Sequence, residues 1–81
     1  MEIRKRIGWN VRRLRAEREI NQEDFATESG FDRGYISGVE RGVRNPSILV
    51  LDRIAKALEV DVVDLLDEVE AVKFSEKRLG R

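Results

Sequence analysis

The stretch from Asn21 to Ser47 contains residues that begin and end helices in close succession, and this constrains the fold more than any other feature. Asn21 and Asp32 have short polar side chains that accept hydrogen bonds from the first turn of a helix. Gly30 favours the left-handed conformation that ends a helix. The sequence therefore predicts two short helices, the first after Asn21 and the second over residues 33–40, joined by a tight turn.

Amphipathic patterns predict helices on both sides of this pair. Before it, from about Glu2 to about Arg18, apolar residues recur at the spacing of one helix face. These residues are Ile3, Ile7, Val11 and Leu14. After it, Gly42 and Pro46 end the third helix, and Ser47 is a suitable cap for a fourth. Its inner stripe is Leu51, Ile54, Ala55 and Leu58.

A fifth helix is predicted after Asp61, another capping residue, with apolar residues Val62, Leu65, Leu66 and Val69. No alternating strand pattern of useful length competes with the helices, so the predicted fold class is all-α with five helices. We place the folded domain at residues 1–70 and a charged tail, frayed or weakly helical, at residues 71–81. Trp9 lies away from the apolar stripe of the first helix, so it is either exposed or covered by the tail around Phe74.

Composition excludes several classes of function. The chain has no cysteine and no histidine, which removes thiolate metal sites, disulfides and the commonest general base. Its carboxylates are not grouped with a nucleophile or a phosphate-binding loop, so we expect no catalysis, no cofactor and no metal. Because no long apolar run is present, we expect neither a signal peptide nor a membrane span, and a cytoplasmic location.

Net charge does not by itself indicate a nucleic-acid partner. The chain has 16 Lys and Arg against 16 Asp and Glu, so its formal net charge is zero. From Met1 to Arg44 there are ten basic and eight acidic residues, which is a mild asymmetry. Any site for a polyanion must therefore come from how the basic residues are arranged.

The segment VRRLRAEREINQEDFATESGFDRGYISGVERGVRNPSILVLDRIAKALEVDVVDLL resembles the Cro and phage-repressor-like, or XRE-type, DNA-binding regulators. The strings NQEDFA, YISGVERG, RNPS and LDRIAKALEV occur in the order and spacing of that family. The shorter string DRGYISGVERGVRN is similar to the controller proteins of restriction-modification systems, which are small dimeric regulators that bind their own operators. The resemblance implies a lambda-repressor-like domain whose second and third helices form a helix-turn-helix.

The third helix is then the recognition helix, and four of its residues become candidate base contacts. Arg33, Gly34, Tyr35 and Ser37 face away from the inward-pointing residues of this helix. An arginine can bond O6 and N7 of guanine together, and a serine can reach a base edge or a phosphate. Gly34 departs from the serine or threonine expected here in controller proteins. Tyr35 either contacts a thymine methyl or a phosphate, or lies half-buried against the second helix.

Candidate contacts to the DNA backbone lie beside the recognition helix. Gln22 matches the family glutamine that lies against the backbone at the start of the second helix. The loop after the third helix contributes Arg41, Arg44 and Asn45, for which the alternative is an ordinary solvated surface position. Asp32 could contact cytosine, but its role as a helix cap is favoured.

The resemblance also implies a structural pair and a dimer. Arg15 and Glu40 match an internal ion pair of phage repressors. The apolar residues of the fifth helix spread over more than one face, which favours a two-fold interface, formed with part of the fourth helix, over an ordinary capping helix. The predicted interface residues are Val62, Val63, Leu65, Leu66 and Val69.

The expected partners are therefore double-stranded operator DNA and a second copy of the chain, with RNA polymerase as a further candidate. We expect no small-molecule ligand and no membrane. Two alternatives remain: a phage or plasmid repressor, and a protein-interaction module, such as an antitoxin or an adaptor, built on the same fold.

Overall fold

The computed structural model describes residues 1–80, and it contains five α-helices and one short 3-10 helix. The α-helices are α1 (Ile3–Glu17), α2 (Gln22–Ser29), α3 (Arg33–Glu40), α4 (Ile48–Ala57) and α5 (Glu68–Arg78), with the 3-10 helix Val62–Leu66 before α5. No strand occurs in these residues, so the predicted all-α class is confirmed. Arg81, the last residue of the predicted tail, lies outside the described residues. No helix in residues 1–80 is long and apolar enough to cross a membrane.

The predicted caps of α2, α3 and α4 are confirmed. Asn21 accepts a hydrogen bond from the backbone N–H of Asp24 at 2.7 Å, and Asp32 accepts one from Gly34 at 2.6 Å. The Ser47 hydroxyl accepts from the third residue of α4 at 3.2 Å. Gly30 follows α2 with a φ of 76°, the left-handed conformation that a β-carbon disfavours. These local interactions fix where α2 and α3 meet.

The core lies where α1, α2, α3, α4 and the 3-10 helix converge. Its large, fully buried apolar side chains come from each of these elements and are Val11, Phe25, Ile36, Val39, Ile54, Leu58 and Leu65. Three of the four residues in the predicted stripe of α4 are buried, and Leu51 packs partly buried against them. The interior therefore joins α3, the predicted recognition helix, to every element except α5.

The crossing of α1 over the end of α3 depends on Gly8. A β-carbon at Gly8 would lie 2.4 Å from the carbonyl oxygen of Glu40 and 2.7 Å from that of Val39. Both contacts are to backbone, which cannot move aside as a side chain can. Only glycine allows α1 and α3 to approach this closely, and the approach fixes the position of α3.

The prediction of one continuous helix after Asp61 is wrong. Asp61 caps the 3-10 helix, and Asp67 then caps α5 separately. The reason is Asn10, which is fully buried and donates to the carbonyls of Leu65 at 2.9 Å and Asp67 at 3.0 Å. Arg13 donates to a third carbonyl, that of Asp64, at 3.2 Å. Side chains of α1 thus satisfy carbonyl groups around the break, so helical hydrogen bonds are not required there.

The prediction that the chain is frayed or weakly helical after residue 70 is also wrong for residues 71–78. They form most of α5, so the proposed domain boundary falls inside this helix. Ala71 and Ser75 are buried, and their small side chains let α5 pack closely on α1. Phe74 meets Trp9 edge to face with ring centroids 6.2 Å apart, so the alternative in which Trp9 is covered near Phe74 is confirmed.

Candidate nucleic-acid interface

The start of α3 presents a guanidinium group to solvent. The Arg33 side chain is 62% exposed. Its Nε donates to Oε1 of Gln22 at 3.3 Å, and its Nη1 donates to Oε2 of Glu23 at 3.2 Å. Both partners lie in the first turn of α2, so two helices orient this side chain. An exposed ion pair contributes little stability, and Arg33 can therefore exchange Glu23 for another acceptor at small cost.

Gln22 connects Arg33 to a buried ion pair. Its Nε2 donates to Oε1 of Glu40 at 3.1 Å, while its Oε1 accepts from Arg33. The Glu40 side chain is 2% exposed, and Arg15 donates to both of its carboxylate oxygens, at 2.6 and 2.9 Å. Arg15 also donates to the carbonyl of Ile20 at 3.0 Å. The orientation of Gln22, and through it of Arg33, depends on a pair inside the protein.

Tyr35 is half-buried and stacks on Phe31, with centroids 5.4 Å apart and an interplanar angle of 26°. Arg44 also lies against Tyr35, with its guanidinium carbon 5.6 Å from the centroid of the Tyr35 ring. The stem of Arg44 lies across Gly38, where a β-carbon would come within 2.8 Å of its Cγ. Arg44 is thus held along α3 by aromatic and glycine contacts, although it belongs to the loop that follows.

The remaining sequence-predicted contact residues are at the surface. Gly34 and Asn45 are exposed, and the Ser37 hydroxyl accepts from Nε of Arg41 at 3.4 Å. Within residues 1–80, neither Arg41 nor Arg44 forms an ion pair. The structure thus places three arginines on or beside α3, and only Arg33 has a carboxylate partner. That partner, Glu23, is indicated by the sequence only as part of a solvated helix face.

The predicted dimer interface needs correction at two points. Leu65 is 0% exposed and belongs to the core, so it cannot contact a second protomer. Val62 packs partly buried against the core, whereas Val63, Leu66 and Val69 are exposed. Sequence reasoning included part of the fourth helix in the interface but did not name Ile48 and Leu49, which are 81% and 80% exposed at the start of α4. The sequence does carry a signal for them, because they are adjacent apolar residues that precede the inner stripe of α4.

Comparison with known proteins agrees with this architecture. The family model described as Helix-turn-helix matches residues 11–65. An uncharacterized HTH-type transcriptional regulator, y4dJ, from Sinorhizobium fredii (strain NBRC 101917 / NGR234) is 40% identical over 74 residues, covering 91% of this chain and 96% of that protein. Control protein C.BamHI from Bacillus amyloliquefaciens is 44% identical over 66 residues, covering 80% of this chain and 82% of its own.

A solved structure extends the likeness to a DNA complex. The restriction-modification controller protein C.Esp1396I, crystallised as a tetramer with its natural 35 base-pair operator, matches with a TM-score of 0.75 and 35% identity. The match covers 91% of this chain and 95% of that one. These relatives are regulators and not enzymes. The chain therefore belongs to the XRE-type helix-turn-helix family of DNA-binding transcriptional regulators, and restriction-modification controller proteins are among its relatives.

Proposed function

We propose that the protein binds a palindromic DNA operator as a homodimer and controls the transcription of restriction-modification genes. The observation that carries this proposal is the exposed guanidinium of Arg33, oriented by Gln22 at the junction of α2 and α3. Two helices and the buried Arg15–Glu40 pair hold this exposed cation in one place, where it is accessible to a ligand. The proposed location is the cytoplasm.

Base reading is assigned to α3. Arg33 exchanges Glu23 for O6 and N7 of a guanine in the major groove, where a bidentate arginine contact discriminates by about 1–3 kcal/mol. Gly34 lets the backbone approach the bases, and the Ser37 hydroxyl reaches a base edge or a phosphate. Tyr35 contacts DNA through the edge that its stacking on Phe31 leaves free.

Contacts to the backbone come from both sides of α3. Gln22 lies at the start of α2, where backbone N–H groups and an amide side chain can meet a phosphate. Arg41, Arg44 and Asn45 follow the end of α3, and the first two have positive charges not paired within residues 1–80. Such contacts set the register of the domain on the duplex, while α3 supplies the sequence preference.

Dimerisation is assigned to the exposed apolar residues of α4, the 3-10 helix and the start of α5. The revised interface consists of Ile48, Leu49, Val63, Leu66 and Val69, with Val62 at its edge. Two recognition helices related by a two-fold axis match half-sites about 34 Å apart. A dimer also doubles the number of phosphate contacts while the net charge stays at zero.

The interface is tested with Leu49→Glu, because this side chain is almost fully exposed and the substitution spares the core. We expect the variant to sediment as a folded monomer under conditions in which the wild-type protein is a dimer. Leu79→Glu, at an exposed apolar residue after α5, is the matched control and should stay dimeric. Equal sedimentation of both variants would contradict the assigned interface.

Control of restriction-modification genes is supported by the relatives named as control proteins. A phage or plasmid repressor would use the same contacts on a different operator. A protein-interaction module, in contrast, would bind a protein and would show neither sequence selectivity nor a steep dependence on salt. Selective DNA binding therefore separates a regulator from a protein-interaction module, and the identity of the operator separates a controller protein from a phage or plasmid repressor.

The proposal is tested by measuring binding to the DNA upstream of the gene and to a scrambled duplex, at about 50 and about 200 mM salt. We expect selective binding that weakens with salt. Arg33→Ala removes one such contact from each half-site, so two losses of about 1–3 kcal/mol should weaken operator binding by about 30-fold or more and change binding to the scrambled duplex little. Lys56→Ala, which also removes one positive charge, is the control, since the exposed Lys56 pairs with Asp52 on the same helix, α4. Equal effects of both variants would contradict the assignment of base reading to α3.

A further inference from the structure

An aromatic pair beside the recognition face supports two guanidinium groups. Trp9 on α1 and Phe74 on α5 meet edge to face. The guanidinium carbon of Arg12 lies 4.8 Å from the Trp9 ring centroid, and that of Arg78 lies 5.7 Å from the Phe74 ring centroid. A ring face attracts a guanidinium and restricts its motion, so both cations are held in place by contacts that leave their N–H groups free to bind an anion.

These two arginines border a single concavity of about 220 Å³. Its lining includes Arg12, Arg15, Gln22, Glu40, Phe74 and Arg78. Three guanidinium groups thus surround one carboxylate. Arg15 donates hydrogen bonds to both carboxylate oxygens of Glu40, whereas Nε of Arg12 lies 3.7 Å from Oε1 of Glu40. Within residues 1–80, Arg78 forms no ion pair, so the concavity has an excess of two positive charges.

The concavity adjoins the recognition face through Gln22. Nε2 of Gln22 donates to Glu40, and Oε1 of Gln22 accepts from Arg33. An anion bound by Arg12 and Arg78 therefore lies one side chain away from the proposed base reader. In the proposed complex α3 lies in the major groove, and the phosphates that flank the groove are the anions available to such a site.

We propose that Arg12 and Arg78 bind a backbone phosphate of the operator, so that α1 and the end of α5 extend the DNA-binding surface beyond the helix-turn-helix. This inference rests on the proposed function. Arginine presents paired N–H donors that match two phosphate oxygens. The proposal also gives the Trp9–Phe74 contact a role in DNA recognition, since the two rings hold the guanidinium groups of Arg12 and Arg78 beside Gln22.

The test is the salt dependence of operator binding for Arg12→Gln, Arg78→Gln and the double variant. Removing both arginines removes one phosphate contact from each protomer, so the double variant should lower the magnitude of the slope of log K against log salt by about 1.8 for a dimer, at about 0.9 for each contact. Each single variant should lower it by less, because the other arginine still contacts the same phosphate. Affinity for operator and scrambled duplex should fall by the same factor, because binding to a phosphate carries no sequence information. Arg78→Lys, which keeps the charge, should retain most of the slope.

Lys73→Gln is the matched control, because Lys73 lies on the same helix with its side chain 70% exposed and only a 3.9 Å contact to Glu70. Thermal melts establish that each variant is folded. Hydroxyl-radical footprints should lose protection only outside the bases covered by α3. Slopes and footprints equal to those of Lys73→Gln would overturn the inference while leaving the selectivity loss of Arg33→Ala, and with it the proposed function, intact. Absence of selective DNA binding by the wild-type protein would overturn both.

Discussion

Removing Arg15 should destabilise the protein more than any surface substitution, because it leaves the Glu40 carboxylate buried without its main partner. Glu40 receives three hydrogen bonds, two from Arg15 and one from Gln22. Breaking one side of a buried ion pair costs about 3–5 kcal/mol. The remaining bond from Gln22, and the approach of Arg12 at 3.7 Å, place Arg15→Ala near the lower end of that range.

A loss of about 3 kcal/mol is large for a domain of this size, whose total stability is about 4–12 kcal/mol. It corresponds to a fall in Tm of about 12 °C or more. The measurement is thermal and urea unfolding followed by circular dichroism at one fixed protein concentration, since dimerisation makes Tm depend on concentration. A loss below about 1 kcal/mol for Arg15→Ala would refute the argument.

The double variant Arg15→Met with Glu40→Leu separates folding from recognition. Apolar residues of similar volume remove both buried charges, and such replacements are often neutral or stabilising, so most of the stability should return. Gln22 nevertheless loses its acceptor, which releases the side chain that orients Arg33. We expect a stable protein with weakened operator binding. A double variant less stable than Arg15→Ala would show that the charges themselves are not the cause.

Three single interactions give further predictions. Gly8→Ala should destabilise by about 1–3 kcal/mol in urea unfolding, despite the better helix propensity of alanine, because its Cβ would lie 2.4 Å from the carbonyl oxygen of Glu40. Asn10→Ala should cost about 1–3 kcal/mol by leaving the carbonyls of Leu65 and Asp67, on either side of the break before α5, without these donors. The ammonium group of Met1 donates a hydrogen bond to Glu68 and lowers the pKa of this carboxyl below its ordinary value of 4.5. The interaction therefore stabilises the protein above pH 4.5, and this stabilisation is lost as the pH falls through the lowered pKa. Titration of the Glu68 carboxyl followed by NMR checks this prediction.

The parts of the fold that sequence predicts are those fixed by neighbouring residues. Asn21, Asp32 and Ser47 each accept a hydrogen bond from a backbone N–H two or three positions ahead, so the signal and its effect lie in the same short segment. Gly30 acts through its own φ angle in the same way. For this reason the caps predict the starts of α2, α3 and α4 without information about tertiary contacts.

The errors arise where distant residues decide the outcome. The break before α5 depends on Asn10, which lies 55 residues from the carbonyl of Leu65 to which it donates. Nothing near Leu65 in the sequence indicates that its carbonyl is satisfied by α1. Because of this break, Leu65 points into the core whereas Val63 and Leu66 are exposed. A helical wheel that treats residues 62–69 as one α-helix therefore could not separate core residues from interface residues.

The arrangement of charges explains how a chain with zero net charge can serve as a DNA-binding protein. Several carboxylates have partners within the protein: Asp32 and Asp67 accept hydrogen bonds as helix caps, and Glu40 lies buried against Arg15. Beside α3, in contrast, Arg41 and Arg44 have no ion-pair partner within residues 1–80. Unpaired positive charge therefore lies beside the proposed recognition helix although the net charge of the chain is zero. It follows that the salt dependence of binding should count the arginines on that face.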